Sequence, residues 1–115
     1  MEIKYKKNRF EINVKKVSTF GKFIGLMFKS SQTENLLFEF NRSELPTIHS
    51  FFVFFDFLAV WLDEENHVVD FDIVKPFRLS IRPRKPSRKL IEIPVNERNR
   101  TTIRFFVGKR KGLNI

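Results

Sequence analysis

A chain of 115 residues with a formal net charge of +9 is long enough for one domain burying about two-thirds of its unfolded surface. It holds no Cys, which excludes disulfides, thiolate metal sites and thiol catalysis. Fifteen residues are Phe, so the apolar material is bulky and without polar handles. The charge is uneven: residues 1–29 carry +6, residues 30–74 carry −8 and residues 75–115 carry +11. A basic surface of that kind suits an anionic partner, nucleic acid or an acidic ligand, or simply keeps the chain soluble.

Glu2, Lys4, Lys6 and Lys7 follow Met1 with no apolar segment behind them, so no signal peptide and a cytoplasmic location are expected. Ile3 and Tyr5, then Phe10, Ile12 and Val14, alternate with polar residues and predict two half-buried strands, with a turn near Asn8-Arg9. Ser18 or Thr19 can cap a short helix on which Phe20, Phe23, Ile24 and Met27 share a face. Gly21 and Gly25 weaken that helix by about 1 kcal/mol each. Lys29–Asn35 reads as a loop, Leu36–Phe40 as a strand and Asn41–Pro46 as a turn region.

Phe51–Leu62, FFVFFDFLAVWL, follows. It is too short to cross a bilayer and too aromatic and β-branched for a comfortable helix. It predicts one strand covered on both faces. Asp63–Asn66 is a turn rich in Asp and Asn, and His67–Ile73 alternates again, completing an antiparallel hairpin. Pro76, Pro83 and Pro86 break the next region into short extended pieces. Leu90–Val95 predicts another strand, and Thr101–Val107 is β-prone. The fold expected is mainly β: a compact antiparallel barrel or sandwich with one short helix near residues 19–28. One domain covers residues 1–115, ending in a basic tail from about residue 108.

Chemistry is sparsely marked. Neither His49 nor His67 has metal-ligand spacing, and no phosphate-cradling Gly loop or nucleophile motif is present, so no cofactor, metal or catalytic residue is assigned. His67 follows a turn and should face solvent. His49 leads into the long apolar run, where a hydrogen-bonded structural role outweighs that of a base. Asp56 is the only polar residue of that run. A buried carboxylate without partners is costly, so Asp56 should mark a bend that exposes it or pair with Lys or Arg. The alternative is an acid in an aromatic ligand pocket shared with His49. Lys75–Lys89 holds seven Lys/Arg, which with Arg98, Arg100, Arg104 and the tail could track a nucleic-acid backbone, although aromatic interleaving is thin.

Several segments together resemble one family. Gly25-Leu26-Met27-Phe28-Lys29 resembles the G-L-M-F-[RK] motif of the domain-of-unknown-function 192 family, and Leu36–Phe40 its M-L-F-x-F strand. Ile48–Val53 is similar to its archaeal I-H-M-F-F form, and Val60–Asp63 with Val68-Val69 to its V-x-[FW]-L-D…V-V hairpin. Lys75-Pro76-Phe77-Arg78 is similar to K-P-W-R, and Leu90–Pro94 to the later L-E-[LI]-P strand. The resemblance spans about residues 17–95 and implies a compact, mainly β domain with one helix; it brings no activity with it. The chain departs from the pattern where Asp56-Phe57-Leu58 stands for P-[IL]-D, and in lacking the family's Gly-rich ending. The reading is therefore a non-catalytic binding or accessory module, with His49, Asp56, Lys75, Arg78 and Arg82 as candidate ligand-binding residues along a groove. The alternatives are a small-ligand binder or enzyme built on His49 and Asp56, nucleic-acid binding, or association with a membrane surface through Lys/Arg and exposed Phe.

Overall fold

A computed structural model describes residues 1–17, 26–44, 48–50 and 52–108. The expected helix near residues 19–28 and the basic tail beyond residue 108 lie almost wholly outside the described residues. Strands β1 (Glu2–Tyr5) and β2 (Asn8–Glu11) form an antiparallel hairpin, turning at Lys6 with φ 56°. The remaining strands build one five-stranded sheet: β3 (Lys15–Lys16), β4 (Leu36–Glu44), β5 (Phe57–Leu62), β6 (Val68–Val74) and β7 (Ser87–Pro94). Its order is β3-β4-β7-β5-β6, and every neighbouring pair is antiparallel except β3 with β4. Two separate sheets with unjoined edges realise the sandwich-like form of the expected β fold; among the described residues no barrel closes.

The hairpin expected around Asp63–Asn66 forms as β5–β6. The Asp63 carboxylate caps it by accepting the N–H groups of Glu65 and His67, each at 2.9 Å. Asn66 takes the left-handed conformation that Asn tolerates, with φ 68°. His67 is exposed there, with Nδ1 3.3 Å from the Asp63 carboxylate.

Both faces of the sheet are covered, so all six residues of β5 are buried, as an apolar run with no alternation requires. On one face Leu58, Val60, Leu62, Ile91 and Ile93 pack under the β1–β2 hairpin and the only described helix. On the other, Phe57, Ala59, Trp61, Leu90 and Phe38 meet Leu26, Val53 and Ile81 from the loops. Residues directly opposite across strands share a face. Thus Asp70, Trp61, Leu90 and Phe38 form one row on the loop side, and Asp72, Ala59, Glu92 and Leu36 the next.

Strand β4 runs on through Glu44, into the segment read as a turn region at Asn41–Pro46. Two further expectations are corrected. Thr101–Val107, β-prone by composition, is part of helix α1 (Arg100–Val107). Tertiary burial overrides propensity here: at helical spacing Ile103 and Phe106 both reach the core, and Phe106 contacts the Tyr5, Phe10 and Phe71 rings. Gly108 ends the helix, donating its N–H to the Arg104 carbonyl at 2.7 Å. The turn into α1 is fastened by three buried asparagines. Asn99 Nδ2 donates to Asn35 Oδ1 and to the Pro94 carbonyl, Asn35 Nδ2 to the Asn13 carbonyl, and Asn96 Nδ2 to the Ser31 carbonyl.

The second correction concerns Phe51–Leu62. Only its second half is a strand. Phe52 has φ 56°, which turns the chain, and β5 begins at Phe57. The four described residues before Asp56 include one core residue, Val53, and two exposed ones, Phe52 and Phe54. The most hydrophobic run of the chain is thus core throughout its second half, while its first half puts Phe52 and Phe54 on the surface.

Candidate binding surface

Three loops meet on the loop side of the sheet. Ser50, fully buried, ties two of them together. Its N–H donates to the Arg78 carbonyl (2.9 Å) and its carbonyl accepts from Phe77 N–H (2.8 Å). Its hydroxyl donates to the Lys75 carbonyl (2.7 Å) and accepts from Arg78 N–H (2.6 Å). One small side chain thereby satisfies backbone groups of a loop that has no ladder of its own. Two further bonds of 2.8 Å join Ile48 to Ile81. The third loop is attached when Phe28 N–H donates to the Phe52 carbonyl at 2.9 Å.

Each loop delivers aromatic rings to the outside. Phe28 and Phe54 are 68% and 61% exposed, and Phe52 and Phe77 are about half exposed. Phe28 stacks on Phe52 with centroids 4.9 Å apart, and Phe77 meets Phe52 at 6.4 Å and Phe54 at 5.4 Å edge to face. Leu79, 71% exposed, lies two residues beyond Phe77. Large contiguous apolar surface on a small domain marks an interaction site.

Backbone strain coincides with these rings. Among the described residues five non-glycine ones have positive φ, and three of them are Phe28 (61°), Phe52 (56°) and Phe77 (61°). For a bulky residue that region is an outlier, costing roughly 1–2 kcal/mol each. Gly or Asn would relieve the cost. Stored strain of this sort clusters at functional sites.

The structure brings most of the expected site residues to this place. The Ser50 staple sets His49, which is exposed, beside the segment carrying Lys75 and Arg78. Asp56 is half-buried and pairs with Lys75 (Nζ to Oδ2, 2.7 Å), which answers its cost by an ion pair rather than by a pocket. Arg78 lies 3.5 Å from Asp72. Arg82 follows Ile81 and lines a neighbouring groove of about 350 Å³ floored by Trp61 and bordered by Asp70, Asp72 and Arg84. There Asp70 and Arg84 neutralise each other. Burial opposes ionisation of Asp70, but the Arg84 side chain and the Arg84 and Phe71 N–H groups donate to its carboxylate and hold its pKa below the usual range. A second groove of about 380 Å³ lies beside the start of α1, lined by Asn35, Arg98 and Asn99 among others. Neither His49 nor Asp56 lines either groove.

Lys29 and Arg82 are exposed, and their side chains have no hydrogen-bond or ion-pair partner among the described residues. Sequence reasoning named exposed Phe only in general and placed Phe52 and Phe54 in the core strand, because a run of Phe reads as core. The available signal was local: in two turns a Phe stands directly before a cation, Phe28-Lys29 and Phe77-Arg78.

One buried group titrates near neutrality. Glu92 is 5% exposed on β7, between Ala59 and Leu36; its Oε1 has no partner, and burial pushes its pKa up to about 8. Glu92 lines neither groove. Among the described residues no three His, Asp or Glu gather closely enough to hold a metal ion.

A family model, DUF192, Uncharacterized ACR, matches residues 2–107 of this fold. The chain belongs to the DUF192 family. A UPF0127 protein of Thermococcus kodakarensis is 38% identical over 85 residues, 71% of this chain and 54% of the relative. Another from Thermococcus gammatolerans is 37% identical over 77 residues, 64% of this chain and 49% of the relative. The chain thus spans about half the length of these relatives. Two crystal structures share the fold. A protein of unknown function from Novosphingobium aromaticivorans superposes with TM-score 0.65 at 16% identity, over 83% of this chain and 70% of the other. A Sinorhizobium meliloti protein, described as a candidate transcription regulator, gives 0.70 at 14% identity, over 83% and 78%. At such identities the likeness concerns the fold of this DUF192 domain, not its activity.

Proposed function

We propose that the domain is a non-catalytic binding module that takes an anionic partner on the surface built by Phe28, Phe52, Phe54 and Phe77. Lys29, Lys75, Arg78 and Arg82 form its cationic border, with His49 beside them. One observation carries the reading: three of this surface's four rings sit on residues whose backbone is strained into the left-handed region. The described core gives no reason to keep bulky apolar residues there, since its clusters include none of these rings and their strain raises the free energy of the folded state. Selection for contact with a partner does.

Labelled single-stranded RNA, DNA, an acidic oligosaccharide and anionic vesicles, titrated at low and high salt, test the proposal. Salt-dependent binding to at least one, weakened by Phe28→Asn with Phe54→Ser, is expected. Failure to bind any of them at low salt refutes it.

A further inference from the structure

We infer that the partner of this surface is an anionic lipid bilayer, with the rings entering the interface and the cations meeting headgroup phosphates. The inference rests on the binding-module reading above and names its partner.

Placement of the rings selects a bilayer over a nucleic acid. Phe28, Phe52, Phe54, Phe77 and Leu79 all lie in turns and loops between strands. Their side chains can enter an apolar boundary without opening a backbone ladder, which hydrocarbon would punish. The rings also lean on one another, Phe28 stacked on Phe52 and Phe77 edge to face with Phe54. A platform for bases instead keeps ring faces open for successive stacking. Leu79 is the most exposed large apolar residue described, at 71%, and an aliphatic chain offers a base no π face but mixes freely with acyl chains.

The chemistry of the side chains agrees. Phe carries no polar atom, so its insertion leaves no donor or acceptor stranded in hydrocarbon. Residues 26–29, 48–57 and 75–82, the three loops together, hold four Lys/Arg and a single acid, Asp56. Lys29 and Arg82 have side chains without described partners, so phosphate contacts would not cost an existing ion pair. Apolar tips inside a basic border are what interfacial docking on anionic lipid demands.

Co-sedimentation with vesicles of phosphatidylcholine, alone or mixed with phosphatidylglycerol, tests the inference. The full chain should pellet with the anionic vesicles and release as salt rises. Lys29→Gln with Arg82→Gln should weaken binding about fivefold per charge. Arg9→Gln, on the β1–β2 hairpin, should leave it unchanged. Phe28→Asn with Phe54→Ser should abolish binding that survives high salt, while circular dichroism reports an intact fold. Phe54→Trp should be quenched by lipids brominated in the acyl chain, because its ring enters them, whereas buried Trp61 should not. Pelleting that persists in the Phe double variant, without quenching of Phe54→Trp, overturns the inference. So does binding of single-stranded RNA or DNA but not vesicles, lost in the Phe double variant; the binding-module reading would then stand. If none of these anions binds, both fall.

Discussion

Glu92 makes the stability of this domain fall as pH rises through neutrality, and Glu92→Gln should remove that dependence. The carboxyl is 5% exposed, its Oε1 lacks a partner, and its pKa rises from 4.5 in the unfolded chain to about 8 in the fold. Below pH 4.5 it is neutral in both states and adds no pH dependence. Between pH 4.5 and about 8 the folded state holds a proton that the unfolded state has lost, so stability falls with pH. The slope is about 1.4 kcal/mol per pH unit. At pH 7 the accumulated loss is roughly 3 kcal/mol, a large share of the 5–15 kcal/mol typical of a domain. Above about pH 8 both states are ionised and the loss levels off. Urea unfolding of wild type and Glu92→Gln at several pH values isolates this group, because the other titrating residues are common to both proteins. The variant should gain on the wild type steadily from about pH 5 to about pH 8. A difference that stays constant across that window would refute the reasoning.

Other expectations follow from the strained loops and the fastenings. Phe28→Asn trades a stacking contact of about 1 kcal/mol for relief of left-handed strain of similar size, so stability should change by less than about 1 kcal/mol. A loss above about 2 kcal/mol in chemical unfolding would mean that Phe28 serves the core. Asn99→Ala removes donors to Asn35 and Pro94 and strands their oxygens, costing about 2–3 kcal/mol and lowering the thermal midpoint. An unchanged midpoint would show that the asparagine network does not hold α1. Gly108→Ala meets no atom within 4 Å, but at φ 62° and ψ −146° a Cβ costs about 1–3 kcal/mol of strain. Thermal melts check that loss, and a more stable variant would contradict it. Asp56→Asn should cost under about 1 kcal/mol in urea unfolding, since Lys75 on the other side of the pair is exposed; a loss of several kcal/mol would mean the pair anchors the loop.

Sequence pattern reached the β architecture because alternation and turn chemistry are local. Ile3, Tyr5 and Phe10 marked the hairpin, and Asp63–Asn66 placed the β5–β6 turn. It missed α1 because Thr101, Thr102, Ile103 and Val107 favour strands, and only the core position offered to Ile103 and Phe106 decides otherwise. It missed the split of Phe51–Leu62 because hydropathy records that a residue is apolar, not that φ 56° at Phe52 has turned it outward. His49, Lys75 and Arg78 were named from the sequence, but the joining of their two segments depends on Ser50, a residue no composition argument would choose. Glu92, flanked by isoleucines, drew no sequence reading of its own; only the loops covering the second face make it a buried acid.

The sheet ends on one side in β3, two lysines long, both exposed, with Lys16 held 2.6 Å from Glu39. A strand from a second chain seeking the open ladder there finds almost no length to pair with and a positive charge at each position. For a protein with fifteen phenylalanines, several of them outward, this matters more than its size suggests. At this edge the backbone offers little for another strand to extend from molecule to molecule, and the most exposed rings sit instead on loop tips, where contact is made by side chains.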